Sequence, residues 1–131
     1  IRTLVSGTGA EELFLGYNAH SLKSKSGADL DSIRLSELAG LHEKDVARTE
    51  RIASHFNMRV LLPYLDGRVV QAALAIPASE NFKNGENKAV LRSIARRIGV
   101  PESACSRPKR AMQYGSGIHA HLLRLRKKGE F

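Results

Sequence analysis

The chain has 131 residues, a formal net charge of +8 and 42% hydrophobic residues, which suits one domain or part of one. Its single cysteine, Cys105, excludes an internal disulfide framework, and no apolar stretch is long enough to cross a membrane. We therefore expect a soluble, cytoplasmic protein. Aromatic residues make up only 5%, so the core must consist mainly of Leu, Ile, Val and Ala, which favours helices over a β-sandwich.

The positive charge is concentrated in the C-terminal third. Residues 1–87 hold ten Lys/Arg and eleven Asp/Glu, whereas residues 88–131 hold eleven Lys/Arg and two Asp/Glu. A surface of this kind attracts phosphates, whether those of ATP, pyrophosphate or nucleic acid. The four cations between positions 124 and 128 are more simply explained as a solvated basic tail.

The chain begins with a predicted strand, turn and helix. Ile1–Val5 is expected to form a short buried strand, which would be an edge or an orphan unless upstream strands are present. The small residues 6–9 predict a turn, and Ala10–Leu15 has helical character that Gly16 ends. α/β proteins place this arrangement at the carboxyl edge of a parallel sheet, where ligands bind. A chain that opens inside a strand suggests a fragment, a processed product or the remnant of a longer protein.

In the middle of the chain, most apolar residues recur at the spacing of a helix. Ser21–Asp29 is polar and predicts a mobile loop. From Leu30 to Phe56 the apolar residues recur at helical spacing, and Gly40 is expected to divide this stretch into two helices. An apolar run at 61–65 contains Pro63, which forbids a continuing helix.

The remaining pattern predicts short helices separated by loops. Asp66 is a good N-cap, and Asn84-Gly85 is a turn signal. The predicted elements are a helix over Arg68–Ala75, a helix over Lys88–Ile98 with Gly99 at its C-cap, a short turn over Pro101–Cys105, an irregular segment over Ser106–Gly117 and a last helix over Ile118–Lys128. The whole chain is thus expected to hold one strand and five or six helices.

The glycine turn and the helix behind it form the first candidate site, Ser6-Gly7-Thr8-Gly9-Ala10-Glu11-Glu12. Glycines let the backbone approach a ligand closely, and the start of a helix presents N–H groups to an anion. The adjacent carboxylates offer oxygen ligands, which Mg²⁺ prefers. The alternative is an ordinary turn followed by acidic residues that interact with the helix dipole.

A basic loop forms the second candidate site. Arg107-Pro108-Lys109-Arg110 places three cations in a stiffened segment just before Gly115 and Gly117, an arrangement suited to clamping a polyphosphate. The alternative is an exposed basic loop. The five histidines show no metal-ligand spacing, so we expect none of them to bind a metal ion. Cys105 has no activating partner in the sequence and is expected to be an inert, buried or semi-buried thiol.

Several segments resemble the asparagine synthetase family. Leu4–Tyr17 is similar to its signature, a strand followed by S-G-x-G-A-D-E-x-F-x-G-Y. Four more segments resemble motifs of the family, and they follow in the family's order. Arg48 and Arg51 resemble R-D-x-R, and residues 62–66 resemble V-P-F-L-D. Residues 85–92 resemble G-x-K-x-x-L-R, and residues 107–115 resemble the R-x-K-x-x-x-x-x-G loop. The resemblance extends from Leu4 to about Ile118. Through Pro108–Gln113 it is strongest to the archaeal and eukaryotic asparagine-synthetase-like proteins.

The resemblance implies an α/β fold. Residues 1–131 would form the C-terminal, mostly helical part of an adenine-nucleotide-binding, Rossmann-like ATP pyrophosphatase domain. The cofactors would be ATP and Mg²⁺, and the reaction would adenylate a carboxylate such as aspartate, release pyrophosphate and let ammonia displace AMP. The family's S-G-G-x-D-S phosphate loop and its glutaminase domain are not in this chain. The upstream part of the same protein is therefore the expected partner, and the chain alone is expected to be inactive.

The resemblance also implies roles for individual residues. The adenylation transition state builds negative charge on the departing phosphates, which a fixed ammonium stabilises. The implied assignments are ATP or AMP contact for Ser6, Gly7 and Gly9, Mg²⁺ binding for Glu11, pyrophosphate binding for Lys109 and Arg110, and catalysis for Lys109.

Three positions depart from the family pattern. Thr8 stands where asparagine synthetases often carry Glu, while Arg59 and Leu61 replace a Glu and an Arg. These departures motivate a second hypothesis, an inactive synthetase-like binding or structural module. A third is an ATP pyrophosphatase acting on tRNA, which the basic C-terminal third would suit. The expected partners are a small-molecule carboxylate and a second copy of the chain; nucleic acid is less favoured, and a membrane is not expected.

Overall fold

Helices make up most of the described chain. The structure, a computed structural model, describes residues 1–83, 86–108 and 112–130. The α-helices in these ranges are α1 (Ala10–Leu13), α2 (Asn18–Lys25), α3 (Leu30–Leu41), α4 (Ala47–His55), α5 (Gly67–Leu74), α6 (Ala89–Arg97), α7 (Glu102–Cys105), α8 (Met112–Gly115) and α9 (Ile118–Lys127). Six of them have eight or more residues, which confirms the expected number of helices. Among the described residues, no helix combines the length and the apolar character needed to cross a membrane.

The expectation of a single strand is wrong. The described residues form four short strands, β1 (Thr3–Val5), β2 (Arg59–Leu61), β3 (Phe82–Lys83) and β4 (Glu86–Asn87). β1 lies where it was predicted, but its residues are exposed rather than buried, and it pairs in parallel with β2, with Leu4 opposite Val60. β3 and β4 form an antiparallel pair that flanks the predicted turn at residues 84 and 85, which lie outside the described residues. Strands of two or three residues are too short to show an alternating pattern, so the sequence did not reveal them. The α/β class is confirmed, and the Rossmann-like assignment stays a prediction.

Three loop and boundary predictions are also wrong. The predicted mobile loop from Ser21 begins inside α2, whose first turn is fixed by a hydrogen bond from the Tyr17 N–H to His20 Nδ1 (3.3 Å). α8 lies within the segment expected to be irregular. The long helical region is divided by the π-helical segment His42–Val46 rather than at Gly40, which α3 accommodates as an ordinary helical residue.

Two small clusters of buried residues hold α1 in place. Leu13 and Phe14 pack with Ala73 of α5, and Leu15 packs with Leu30 of α3. The side chains of Leu13 and Leu15 are fully buried, and burial of each contributes roughly 1.5–3 kcal/mol. Since the glycine turn leads directly into α1, this packing also fixes the turn.

Helix α5 is joined to α3 by a buried arginine. Arg34 of α3 is 2% exposed and donates hydrogen bonds to the carbonyl oxygens of Ala73 and Ile76, both at 3.0 Å. These carbonyls lie at the C-terminal end of α5, where a cation also interacts favourably with the helix dipole. At the other end, the Asp66 side chain accepts a hydrogen bond from the Arg68 N–H (3.0 Å), which confirms Asp66 as the N-cap.

Candidate functional site

The glycine turn leaves the carboxyl end of β1 at Ser6. The Ser6 N–H donates to the Leu61 carbonyl of β2 (3.0 Å), and its hydroxyl lies 2.8 Å from the Thr8 hydroxyl. Gly7 is exposed, and a Cβ at this position would meet no atom within 4 Å. The backbone at Gly7 is therefore accessible to a ligand, whereas the Ser6 hydroxyl already has a partner in Thr8.

Gly9 occupies a packed position beneath the turn. It is buried and adopts a left-handed backbone conformation with φ of 97°, which favours glycine. A Cβ at Gly9 would lie 2.5 Å from Leu65 Cδ2 and 3.5 Å from Tyr64 Cβ. The structure thus gives Gly9 a packing role, and its contact with ATP or AMP stays a prediction.

Glu11 and Lys88 form an ion pair that joins α1 to the start of α6. Lys88 Nζ lies 3.0 Å from Glu11 Oε1, and the two side chains are only 20% and 24% exposed. Lys88 is the N-cap of α6 and has a φ of 58°, an uncommon conformation for a non-glycine residue. Gly16 lies against the pair, since a Cβ there would be 1.7 Å from Glu11 Oε2 and 2.8 Å from Lys88 Cδ. The absence of a side chain at Gly16 therefore makes room for the Glu11–Lys88 ion pair.

Glu12 points into the protein instead. It is 6% exposed and accepts a 2.6 Å hydrogen bond from the Tyr17 hydroxyl. Burial, followed by the hydrogen bond to Glu12 and the charge of its carboxylate, raises the pKa of Tyr17 well above its ordinary value. His20 continues these contacts: because its Nδ1 accepts from the Tyr17 N–H, its Nε2 carries the proton and donates to Glu37 Oε2 at 2.8 Å.

Glu11 and Lys88 line a cleft of about 620 Å³, the α6 cleft. Its charged lining residues are Glu11, Lys88, Arg92 and Arg107. Its other lining residues are mainly apolar and come from α6, α7 and the segments beside them: Tyr64, Leu91, Ile94, Ala95, Ile98, Val100, Ala104, Cys105 and Pro108. With three cations and one carboxylate among its described lining residues, the cleft suits an anion.

Arg92 connects this cleft to the basic loop. Its guanidinium donates to the carbonyl oxygens of Asn87 (2.9 Å) and Arg107 (3.1 Å) and to that of Cys105. Arg107 and Pro108 immediately precede Lys109 and Arg110, which lie outside the described residues, as does residue 111. The cleft thus extends from the helix behind the glycine turn to the first residues of the predicted basic loop.

The arrangement can be compared with known proteins. The asparagine synthase family model matches residues 22–128. The chain belongs to the asparagine synthase family. It is 32% identical over 114 residues to an asparagine synthetase domain-containing protein of Saccharomyces cerevisiae and 30% identical over 124 residues to asparagine synthetase domain-containing protein 1 of Mus musculus, covering 86% and 89% of this chain. Against a putative glutamine-hydrolyzing asparagine synthetase of Methanocaldococcus jannaschii the identity is 25%, and the match covers all of this chain. No solved structure matches the chain significantly.

This asparagine synthase family chain is much shorter than those relatives. It spans 21% of the yeast protein, 20% of the mouse protein and 30% of the archaeal one. Family membership confirms the resemblance read from the motifs. Activity, substrates and partners of a complete protein do not follow from it.

The structure brings some of the predicted site residues together. Glu11 and the start of the basic loop share the α6 cleft, although they are almost a hundred residues apart in sequence. Ser6 and Gly7 lie at the end of β1 and are not among the residues that line this cleft. Sequence reasoning assigned no role to Lys88 or Arg92. Their place in the segment similar to G-x-K-x-x-L-R was the signal that could have identified them.

Magnesium binding at Glu11 stays a prediction. Among them, no group of three or more His, Cys, Asp and Glu side chains could hold a metal ion. Mg²⁺, however, commonly binds to one or two carboxylates together with substrate phosphates. Glu11, a carboxylate that lines the α6 cleft together with cations, fits that manner of binding, whereas Glu12 is directed toward Tyr17.

Proposed function

We propose that this chain supplies the pyrophosphate end of the ATP site in an amide-forming synthetase. The observation that carries the proposal is the α6 cleft, which Glu11 and Lys88 line together with Arg92 and Arg107. A carboxylate for a phosphate-bridged metal ion and a cationic surface for the phosphates are the two requirements of this chemistry. Membership of the asparagine synthase family supports the same proposal.

The reaction would proceed by activation of a carboxylate, with aspartate as the proposed substrate. A carboxylate oxygen attacks the α-phosphorus of ATP, the bond to the bridging oxygen breaks, and pyrophosphate leaves with the electron pair. Ammonia then attacks the acyl carbon, loses a proton and displaces AMP. When bound, Mg²⁺ would neutralise part of the phosphate charge beside Glu11.

The chain's own residues would act mainly by position and charge. Lys88 and Arg107 face the cleft where charge accumulates on the leaving pyrophosphate, and preorganised cations lower the energy of such a transition state. Lys109 and Arg110 follow Arg107 directly in sequence and are proposed to complete this cationic surface, with Lys109 catalytic. The accessible backbone at Gly7 and the adjoining Ser6 are proposed to contact the adenylate.

The proposal is tested in the protein as its gene encodes it, by carboxylate-dependent exchange of labelled pyrophosphate into ATP. Lys109→Ala should slow adenylation by about a hundredfold or more, the usual scale for removing one preorganised stabilising group. Lys127→Ala is the matched control, since it removes the same charge from the last turn of α9 and should leave the rate unchanged.

Other results would contradict the proposal in distinct ways. A protein that neither binds ATP nor catalyses exchange with any carboxylate would support an inactive module instead. Exchange that requires RNA and falls steeply with salt would support an ATP pyrophosphatase acting on tRNA. A normal exchange rate in Lys109→Ala would remove that residue from the mechanism.

A further inference from the structure

Arg92 makes an unusual set of contacts for a surface arginine. Each of the three guanidinium nitrogens donates to a main-chain carbonyl oxygen: Nε to Asn87, one terminal nitrogen to Cys105 and the other to Arg107. These carbonyls belong to two separate segments, the end of β4 and the end of α7 with the loop behind it. A single side chain therefore fixes the distance between α6 and the basic loop.

The neighbouring arginines of α6 behave differently. Arg96, one turn later, binds the carboxylates of Glu86 and Glu102. Within the described residues, Arg92 has no carboxylate at ion-pair distance. Its charge acts on the nearby Glu102 carboxylate and on the α6 cleft, which it lines, while its planar guanidinium holds main-chain carbonyls.

Lys88, the N-cap of α6, and Arg92, in its first turn, both line the α6 cleft. Lys88 pairs with Glu11 of α1, and Arg92 holds the carbonyls of Cys105 and Arg107. The start of α6 thereby contacts both α1 and the segment that leads into the basic loop. A displacement of either contact would change the separation between the metal-binding carboxylate and the cationic loop.

We propose that Arg92 is a positioning residue for pyrophosphate release, because it holds the main chain of residues 105–107 so that Arg107 faces the α6 cleft. This inference rests on the proposed function. Pro108 supports the role, since a proline restricts the backbone of the residue before it and makes the held segment stiff. Consecutive Cα atoms are about 3.8 Å apart, so fixing Arg107 also limits where Pro108 can lie.

Removal of the guanidinium should loosen this segment locally. In the structure, the Cys105 N–H donates to Pro101 O (3.1 Å) and the Ser106 N–H to Glu102 O (2.8 Å). Hydrogen exchange at these two amides reports on the order of the loop and does not depend on any activity. The amide of Ile98, which donates to Ile94 O (3.1 Å) at the end of α6, is the internal reference.

The experiment compares Arg92→Met with Arg97→Met in the protein as its gene encodes it. Arg97 lies on the same helix and is exposed, so its replacement removes the same charge without the carbonyl contacts. Arg92→Met should raise exchange at Cys105 and Ser106 by about tenfold or more, leave Ile98 unchanged, and weaken the affinity for inorganic pyrophosphate by about tenfold. Carboxylate adenylation should lose about a hundredfold in kcat with little change in the KM for ATP, as expected when a positioned group moves by about 1 Å. Arg97→Met should match the wild type in all four measurements.

Each outcome decides the question. Arg92→Lys keeps one donor and should recover part of the loss in both pyrophosphate affinity and kcat, which a purely structural role would not require. If exchange rises equally at Ile98 in both Arg92 variants, the residue serves global stability and the proposal is overturned. It is also overturned if the loop loosens while kcat and pyrophosphate affinity stay at wild-type values. If the wild type itself catalyses no adenylation, the proposed function fails, while exchange and pyrophosphate affinity still decide whether Arg92 positions the anion cleft.

Discussion

Substitution of Gly16 by Ala tests the geometry of the Glu11–Lys88 ion pair directly. A Cβ at Gly16 would lie 1.7 Å from Glu11 Oε2 and 2.8 Å from Lys88 Cδ, closer than atoms that are not bonded can approach. Gly16 does not have a positive φ, so its backbone can accept alanine without strain. In the folded state, the added methyl group therefore acts through its overlap with these two side chains.

The atoms that overlap with the new methyl group determine how much Gly16→Ala changes the free energy of unfolding. Both belong to the far ends of flexible side chains, so the overlap is relieved when Glu11 and Lys88 swing away, and their 3.0 Å contact is lost. The two side chains are about a quarter exposed or less, so the ion pair is worth about 1 kcal/mol, at the upper end of the range for surface pairs. Replacing glycine by alanine also reduces the entropy of the unfolded chain, which stabilises the folded protein by about 0.4–1 kcal/mol. The free energy of unfolding should therefore change by less than about 1 kcal/mol, while the carboxylate leaves its place in the α6 cleft.

The assay compares stability with ligand affinity. Urea denaturation measures the free energy of unfolding, and calorimetry measures the affinity for pyrophosphate in the presence of Mg²⁺. We expect Gly16→Ala to lower that affinity by about tenfold, equivalent to about 1.4 kcal/mol, with nearly unchanged stability. Gly67→Ala is the matched control, because a Cβ there meets nothing within 4 Å. Wild-type affinity in Gly16→Ala would refute the role of Glu11 in the cleft, and a stability loss of several kcal/mol would refute the reasoning about flexible side-chain ends.

Three further predictions concern stability. Leu13→Ala removes a fully buried side chain and should cost about 2–5 kcal/mol in urea denaturation, whereas Leu123→Ala, at an exposed position of α9, should cost less than about 0.5 kcal/mol; equal costs would contradict the core assignment. Asp66→Ala removes the N-cap of α5 and should cost about 1 kcal/mol, and Asp66→Asn should recover most of it if capping is the cause. Burial and Glu12 raise the pKa of Tyr17, so the folded protein keeps the phenolic proton longer than the unfolded chain does, and the stabilisation is complete below about pH 10 and is lost as the pH rises above it. Tyr17→Phe should make the stability less dependent on pH in that alkaline range, and an unchanged pH dependence would disprove the assignment.

Local chemistry made part of the fold predictable. The strand before a glycine turn, the helix start behind it and the N-cap at Asp66 each depend on residues that are adjacent in sequence, and each lies where it was expected. The same is true of α6, after which Gly99 adopts a φ of 87°. In all these cases one residue with a strong conformational preference sets the local structure.

The missed features depend on contacts between distant segments. β2 is three residues long and exists as a strand through its pairing with β1, which precedes it by more than fifty residues. Glu11 and Lys88 are separated by 77 positions, so no spacing rule could connect them. The polar composition of α2 concealed a helix whose start is fixed by Tyr17 and His20. Tertiary context therefore overrode local composition at each of these places.

The contacts around α1 explain why stability and function should separate in this chain. On one side, Leu13 and Leu15 anchor the helix through apolar burial, and substitutions there remove several kcal/mol. On the other side, Gly16 and Lys88 determine only where the Glu11 carboxylate lies, through atoms at the ends of flexible side chains. A change on that side can redirect the carboxylate at little cost in stability. The glycine before Tyr17 therefore serves the proposed site rather than the fold, since it fixes the position of a charge and contributes nothing to the core.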